Sequence, residues 1–132
     1  MPLLRLRWLP LLVICWICTA LGVRAQEIPP AQLERFAQAA VAVEKLRLNT
    51  QADLRRTLGT EALPKLRCHR LQAWDSYGVA VQQRVEAFCQ RARVLIEQQG
   101  LTVVEFNRIR QAQRQNPDLR SRIQQQMIQQ LP

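Results

Sequence analysis

Cys68 and His69 are the residues of this chain whose side chains could together do nucleophilic chemistry, with Asp75, Ser76 or a glutamate as the third member. A nucleophile and its base must meet within hydrogen-bond reach, and the base must be oriented by a further group. Sequence neighbours point about 100° apart around a helix, so Cys68 and His69 do not readily form such a dyad. His69 is the only histidine in the sequence. One histidine with two cysteines at this spacing also matches no common zinc pattern. No catalytic residue, cofactor or metal ligand is therefore expected, and an enzyme ranks last among the functional readings.

The elements that must position these residues begin after an N-terminal segment with the layout of a secretory signal peptide. Arg5 and Arg7 are followed by an uncharged stretch from Trp8 to Val23, and then by Val23-Arg24-Ala25 ahead of Gln26. A cationic start, an apolar centre and small residues at the −3 and −1 positions are the marks of a cleaved leader. The uncharged stretch has 16 residues and contains Pro10, short of the roughly 20 apolar residues a spanning helix needs. A retained anchor is the alternative. A lipoprotein would carry a small residue before its cysteine, whereas Cys15 follows Ile14 and Cys18 follows Ile17. The expected organisation is a signal peptide over 1–25, cut between Ala25 and Gln26, then one helical domain over 26–132 with its core at about 31–131. Its place of work is exported, periplasmic or secreted.

The chain has 19 basic and 10 acidic residues, a formal net charge of +9. Loss of Arg5, Arg7 and Arg24 with the leader reduces that surplus by three and leaves the mature protein basic. Such a surplus suits contact with phosphate head groups, acidic glycans or an acidic partner, although a solvated charged surface is the blander account. Cys15 and Cys18 leave with the leader, so Cys68 and Cys89 are the pair that remains. An even pair in an oxidising compartment points to one disulfide, with two buried free thiols as the alternative. The bond would close a loop of about 20 residues, worth about 3 kcal/mol by loop entropy. It would also deprive Cys68 of any thiolate.

Pro30 suits the start of a helix. From Ala31, the apolar positions Leu33, Phe36, Ala37, Ala40, Val43 and Leu46 recur at spacings of three and four. Leu54 and Leu58 continue the stripe to Gly59, past a weak point at Asn49-Thr50, which fits one bent helix or two short ones. Thr60 to Gly78 is the least regular stretch and reads as a short helical turn plus loop. A second clean stripe follows, through Val81, Val85, Phe88, Cys89, Ala92, Leu95 and Ile96, with Cys89 on the buried face and Gly100 as its left-handed stop.

The junction after this stripe carries the most informative local signal. Leu101, Thr102, Glu105 and Phe106 fall where a hydrophobic staple and a capping box require them. Phe106 and Ile109 then mark a short packing helix. Asn116-Pro117-Asp118 reads as N-cap, first helical residue and a carboxylate at the positive helix end. The last helix has apolar positions Leu119, Ile123, Met127 and Leu131, with Ile128 beside them. No segment alternates β-branched residues around hairpin turns. The fold expected is all-α, a small bundle of about four to five helices.

Other features have two readings each. Arg108, Arg110 and Arg114 after a tight glycine corner resemble a DNA-reading helix-turn-helix, but export removes the DNA and no nucleic-acid partner is expected. Glu44 lies near the first stripe, either paired with Arg47 or Arg108 or snorkelling at the core edge. Trp74 and Tyr77 either cover the end of the core or line a hollow. The glutamines between Gln111 and Gln130 read as a wet helix face.

Gly100-Leu101-Thr102, Phe106-Asn107-Arg108-Ile109 and Asn116-Pro117-Asp118-Leu119 resemble the motifs of a family of exported bacterial proteins, the domain of unknown function 4168. Leu33-Glu34-Arg35-Phe36-Ala37 and Val43-Glu44-Lys45-Leu46-Arg47 are similar to its opening motif. The resemblance covers roughly the whole mature chain, with a less typical insert at His69 to Tyr77. Some members have paired cysteines in comparable places, which implies the Cys68–Cys89 bond. The family implies a helical, exported domain and no activity. The function expected is a non-catalytic envelope interaction or accessory module, bound to a protein or other envelope component. The alternative is a peripheral binder of anionic lipid or acidic glycan.

Overall fold

The computed structural model describes residues 27–131; the expected leader at 1–25 and the cut between Ala25 and Gln26 lie outside them. Helix α1 spans Pro30–Leu58. Pro30 at its first position has no N–H to leave unpaired, and the carbonyl of Pro29 accepts from Gln32 and Leu33, both at 3.0 Å. The weak point at Asn49-Thr50 does not break it; the Thr50 hydroxyl donates back to the Leu46 carbonyl at 2.9 Å, so its hydrogen bond is satisfied within the helix rather than in a turn. One continuous helix of 29 residues results, about 43 Å long at the standard rise. It stops at Gly59, whose φ is 63° and whose N–H donates to Arg55 O at 2.9 Å.

An irregular segment leads to a 3-10 helix at Leu71–Tyr77, and α2 follows at Val79–Gln98. Two contacts orient α2 antiparallel to α1. Arg84, early in α2, donates to Asp53 Oδ2 at 3.0 Å and Thr57 Oγ1 at 2.7 Å, late in α1. At the other end, the Arg35 guanidinium of α1 lies over Gly100, just past α2. Helix α3 is Val103–Gln115 and α4 is Pro117–Gln129. The chain is an all-α bundle, with no strand among the described residues. None of its described helices is long and apolar enough to cross a membrane.

The apolar residues gather in two clusters along α1. One joins Leu33, Phe36 and Ala39 of α1 to Ile96, Leu101, Phe106, Ile109, Leu119 and Ile123. The other joins Leu54 to Trp74, Val81 and Val85, with Leu58, Leu63, Leu66, Leu71 and Tyr77 packed around them. Phe88 and Ala92 are buried on the stretch of α2 between the two. Burial of these side chains contributes about 1.5–3 kcal/mol for each large one.

Three expectations need correcting. Cys89 is half-buried and not a core residue: Phe88 takes the core position in register with Val85, Ala92 and Ile96, which turns Cys89 to the edge of that face. Leu131 is exposed and lies past the end of α4, because the amides of Gln130 and Leu131 bond back to Met127 O and Ile128 O in tight turns that leave the helical register. Trp74 does more than cover a core, since it is 1 % exposed and sits inside one.

The turn from α2 into α3 depends on Gly100, with φ 71°. Its N–H donates to Glu97 O at 2.8 Å and the Leu101 N–H to Ile96 O at 3.4 Å, the paired bonds of a Schellman ending. A β-carbon there would meet nothing closer than Arg35 Nη1 at 3.6 Å, so conformation and not crowding selects glycine. Gly100→Ala is expected to lower stability by about 1–2 kcal/mol, the cost of a left-handed L-residue, as read by urea denaturation.

Candidate functional site

The helix α3 is held at both ends by side chains, which fixes whatever its outer face presents. At its start the Glu105 N–H donates to Thr102 Oγ1 at 3.1 Å, while Glu105 Oε2 accepts from the Thr102 N–H and hydroxyl, each at 2.8 Å. Leu101 and Phe106 are both buried in one cluster, as a hydrophobic staple requires. Phe106 also meets Phe36 with ring centroids 4.8 Å apart. At its end Asn116 serves two helices. Its N–H donates to Ala112 O at 3.1 Å and closes α3, while its Oδ1 accepts from the Leu119 N–H at 3.0 Å and opens α4. Pro117 is the first residue of α4 and Asp118 lies in its first turn, where a carboxylate suits the positive helix end.

Arg120 was not distinguishable in the sequence from the other arginines of the last helix. Its Nε and Nη2 donate to Gln113 O at 3.2 Å and Arg114 O at 3.1 Å, the last carbonyls of α3. The signal for it is the single residue between α3 and α4, which places the first turn of one helix beside the last turn of the other. A guanidinium there satisfies orphan carbonyls and opposes the negative helix end.

With Phe106 and Ile109 buried, the opposite side of α3 carries Val104, Asn107, Arg108, Gln111 and Gln115, flanked by Arg110 and Arg114, all of them exposed. Val104 is 78 % exposed. Among the described residues no carboxylate lies within ion-pair distance of Arg108, Arg110 or Arg114, whereas Arg47, Arg55, Arg56 and Arg84 are all paired. Unpaired arginines beside side-chain amides form a surface rich in donors, suited to carboxylate, phosphate or hydroxyl oxygens.

Glu44 pairs with Arg47, one of its two expected partners, through Nε to Oε2 at 2.8 Å and Nη2 to Oε1 at 2.6 Å. These hydrogen bonds hold its carboxyl below the ordinary value against a smaller opposing effect of desolvation, with the Arg47 charge adding to them. The Glu105 carboxyl is likewise held low, first by the Thr102 backbone N–H, then by the Thr102 hydroxyl, against slight desolvation and with a smaller contribution from the charge of Arg108. A depressed folded-state pKa stabilises the fold above the ordinary glutamate range, and that contribution is lost as pH falls through the folded value. Glu105→Ala should therefore destabilise more at neutral pH than below the carboxylate range, as seen in denaturation curves at the two pH values.

Cys68 and Cys89 form the disulfide, with S–S 2.10 Å and Cα–Cα 5.6 Å. His69 is exposed beside it. No cluster of three metal-ligand side chains occurs among the described residues. Asp75 accepts from Gln82 Nε2 at 3.3 Å, and among the described residues no side-chain hydrogen bond joins His69 to Cys68, Asp75 or Ser76.

Residues 29–123 match the family model described as Domain of unknown function (DUF4168). No curated protein matches the chain, and no solved structure does.

Proposed function

The chain belongs to the DUF4168 family, and from that premise we propose that it is an exported, non-catalytic binding module of the cell envelope whose contact surface is the outer face of α3. The observation that carries this is the pairing of a fixed helix with an unsatisfied surface. Side chains anchor α3 at both ends, while Val104, Asn107, Arg108 and Gln111 on its outer side make no side-chain hydrogen bond or ion pair among the described residues. A rigid element loses little entropy when it binds. The signal-peptide layout of residues 1–25 supports the exported setting, and the pairing of Cys68 with Cys89 leaves Cys68 without a thiolate while the bond is closed.

A photo-cross-linker at Gln111, compared with one at exposed Gln90 on α2, tests this in the native envelope. A defined product from position 111 alone is expected; equal products from both positions, or none from 111, would reject the α3 surface.

Arg108, Arg110 and Arg114 favour a second reading, in which the partner is an anionic lipid or an acidic glycan. Binding to phosphatidylglycerol vesicles or to an acidic polysaccharide would then fall steeply with salt. Replacing the three arginines by glutamine would abolish it. Absence of binding at low salt removes this reading and leaves the protein partner.

A further inference from the structure

We propose that the Cys68–Cys89 disulfide is a thiol–disulfide exchange site, attacked at Cys68 by the thiolate of a dithiol reductant, and that its opening releases the segment 60–77 from the rest of the bundle. The inference is independent of what α3 binds, and it starts from unequal access to the two sulfur-bearing residues. Cys68 is exposed on the irregular segment, while Cys89 is half-buried on α2. The neighbours of Cys68 are exposed and cationic: Lys65, Arg67 and Arg70, with His69 adjacent. Among the described residues none of these three cations has a carboxylate within ion-pair distance. A positive surface of this kind draws in an anionic thiolate, and access to the attacked sulfur governs the rate of exchange.

Apart from the bond, the segment is held mainly by apolar contact. Two polar links among the described residues join 60–77 to the long helices: Arg55 with Glu61 at 3.1 Å, and Gln82 with Asp75 at 3.3 Å. Glu61 is almost wholly exposed, and an exposed pair of that kind holds weakly. The Trp74 indole N–H, although buried, has no hydrogen-bond partner. What remains is apolar contact through Leu63, Leu66, Leu71, Trp74 and Tyr77, together with the covalent tie. None of these residues belongs to the cluster that joins α1 to α3 and α4.

The exchange balances as follows. The incoming thiolate bonds to Cys68 Sγ, the Cys68–Cys89 bond breaks, and Cys89 leaves as a thiolate that takes a proton. The second thiol of the reductant, as its thiolate, then attacks its own sulfur in the mixed disulfide and expels Cys68. The reductant ends as a disulfide, two electrons pass to the cysteine pair, and the two protons the dithiol gives up match the two the cysteines gain.

Hydrogen exchange on the whole chain, oxidised and after dithiothreitol without denaturant, tests the release. Removal of a crosslink spanning this loop should raise the opening constant of 60–77 about 100-fold, with 103–129 unchanged. Thiols that appear only in denaturant, unaltered exchange at 60–77, or equal acceleration across α3 and α4 would each overturn the proposal. The double substitution Arg67→Gln with Arg70→Gln separates the electrostatic part. It should slow reduction by glutathione, whose attacking thiolate carries two net negative charges, several-fold more than reduction by 2-mercaptoethanol, whose thiolate carries one; unchanged rates with both thiols would remove the cationic steering.

Discussion

Phe106→Ala is expected to cost about 3–5 kcal/mol, the range for deleting a buried aromatic ring, which takes up most of the stability of a domain near the lower end, about 5 kcal/mol, of the usual range. The size follows from three roles at one position. Phe106 completes the staple with Leu101, stacks on Phe36 at 4.8 Å, and belongs to the cluster that joins α1 to α3 and α4. Its loss removes buried area and leaves a cavity against a helix whose end is already committed to the capping box. A double-mutant cycle with Phe36→Ala separates the ring pair from the rest. A coupling of about 0.5–1.5 kcal/mol is expected for the aromatic contact, and a coupling near zero would mean that the rings contribute only by area.

The second large effect is at Trp74. Trp74→Ala should also cost about 3–5 kcal/mol, because a ring only 1 % exposed lies between α1 and α2. Trp74→Phe should cost distinctly less than half of that. The indole N–H is buried without a partner, and an unsatisfied buried donor costs about 1–3 kcal/mol, so phenylalanine relieves a penalty while it loses volume. Denaturation midpoints of the two variants check this; an equal loss in both would show that ring volume outweighs the orphaned donor.

Much of this architecture was legible from local signals. The corner at Gly100-Leu101-Thr102-Glu105-Phe106 and the start of α4 at Asn116-Pro117 depend on residues within one turn of each other, so their chemistry is visible in sequence order. The continuity of α1 was open, because the Thr50 hydroxyl could have bonded to nearby backbone in a turn as readily as to Leu46 O. The edge position of Cys89 was hidden for a different reason: Phe88 and Cys89 are both apolar, and only packing decides which of two adjacent residues faces inward. Long-range partners were beyond reach altogether. Nothing around Arg84 marks Asp53 and Thr57 as its acceptors, and nothing marks Arg120 as the group that closes α3. The α3 surface has the same character, since its arginines are marked by having no carboxylate within ion-pair distance among the described residues, a property of the assembled bundle.

The separate apolar clusters at the two ends of α1 bear on how such a sequence can drift. A change in length or composition around 60–70 meets side chains of the Leu54 and Trp74 end, while the Phe36, Phe106 and Ile123 end sees the same neighbours as before. Each end can thus accumulate substitutions without matching changes at the other, so a new loop can be tried on one end of the protein while the opposite end keeps its trade.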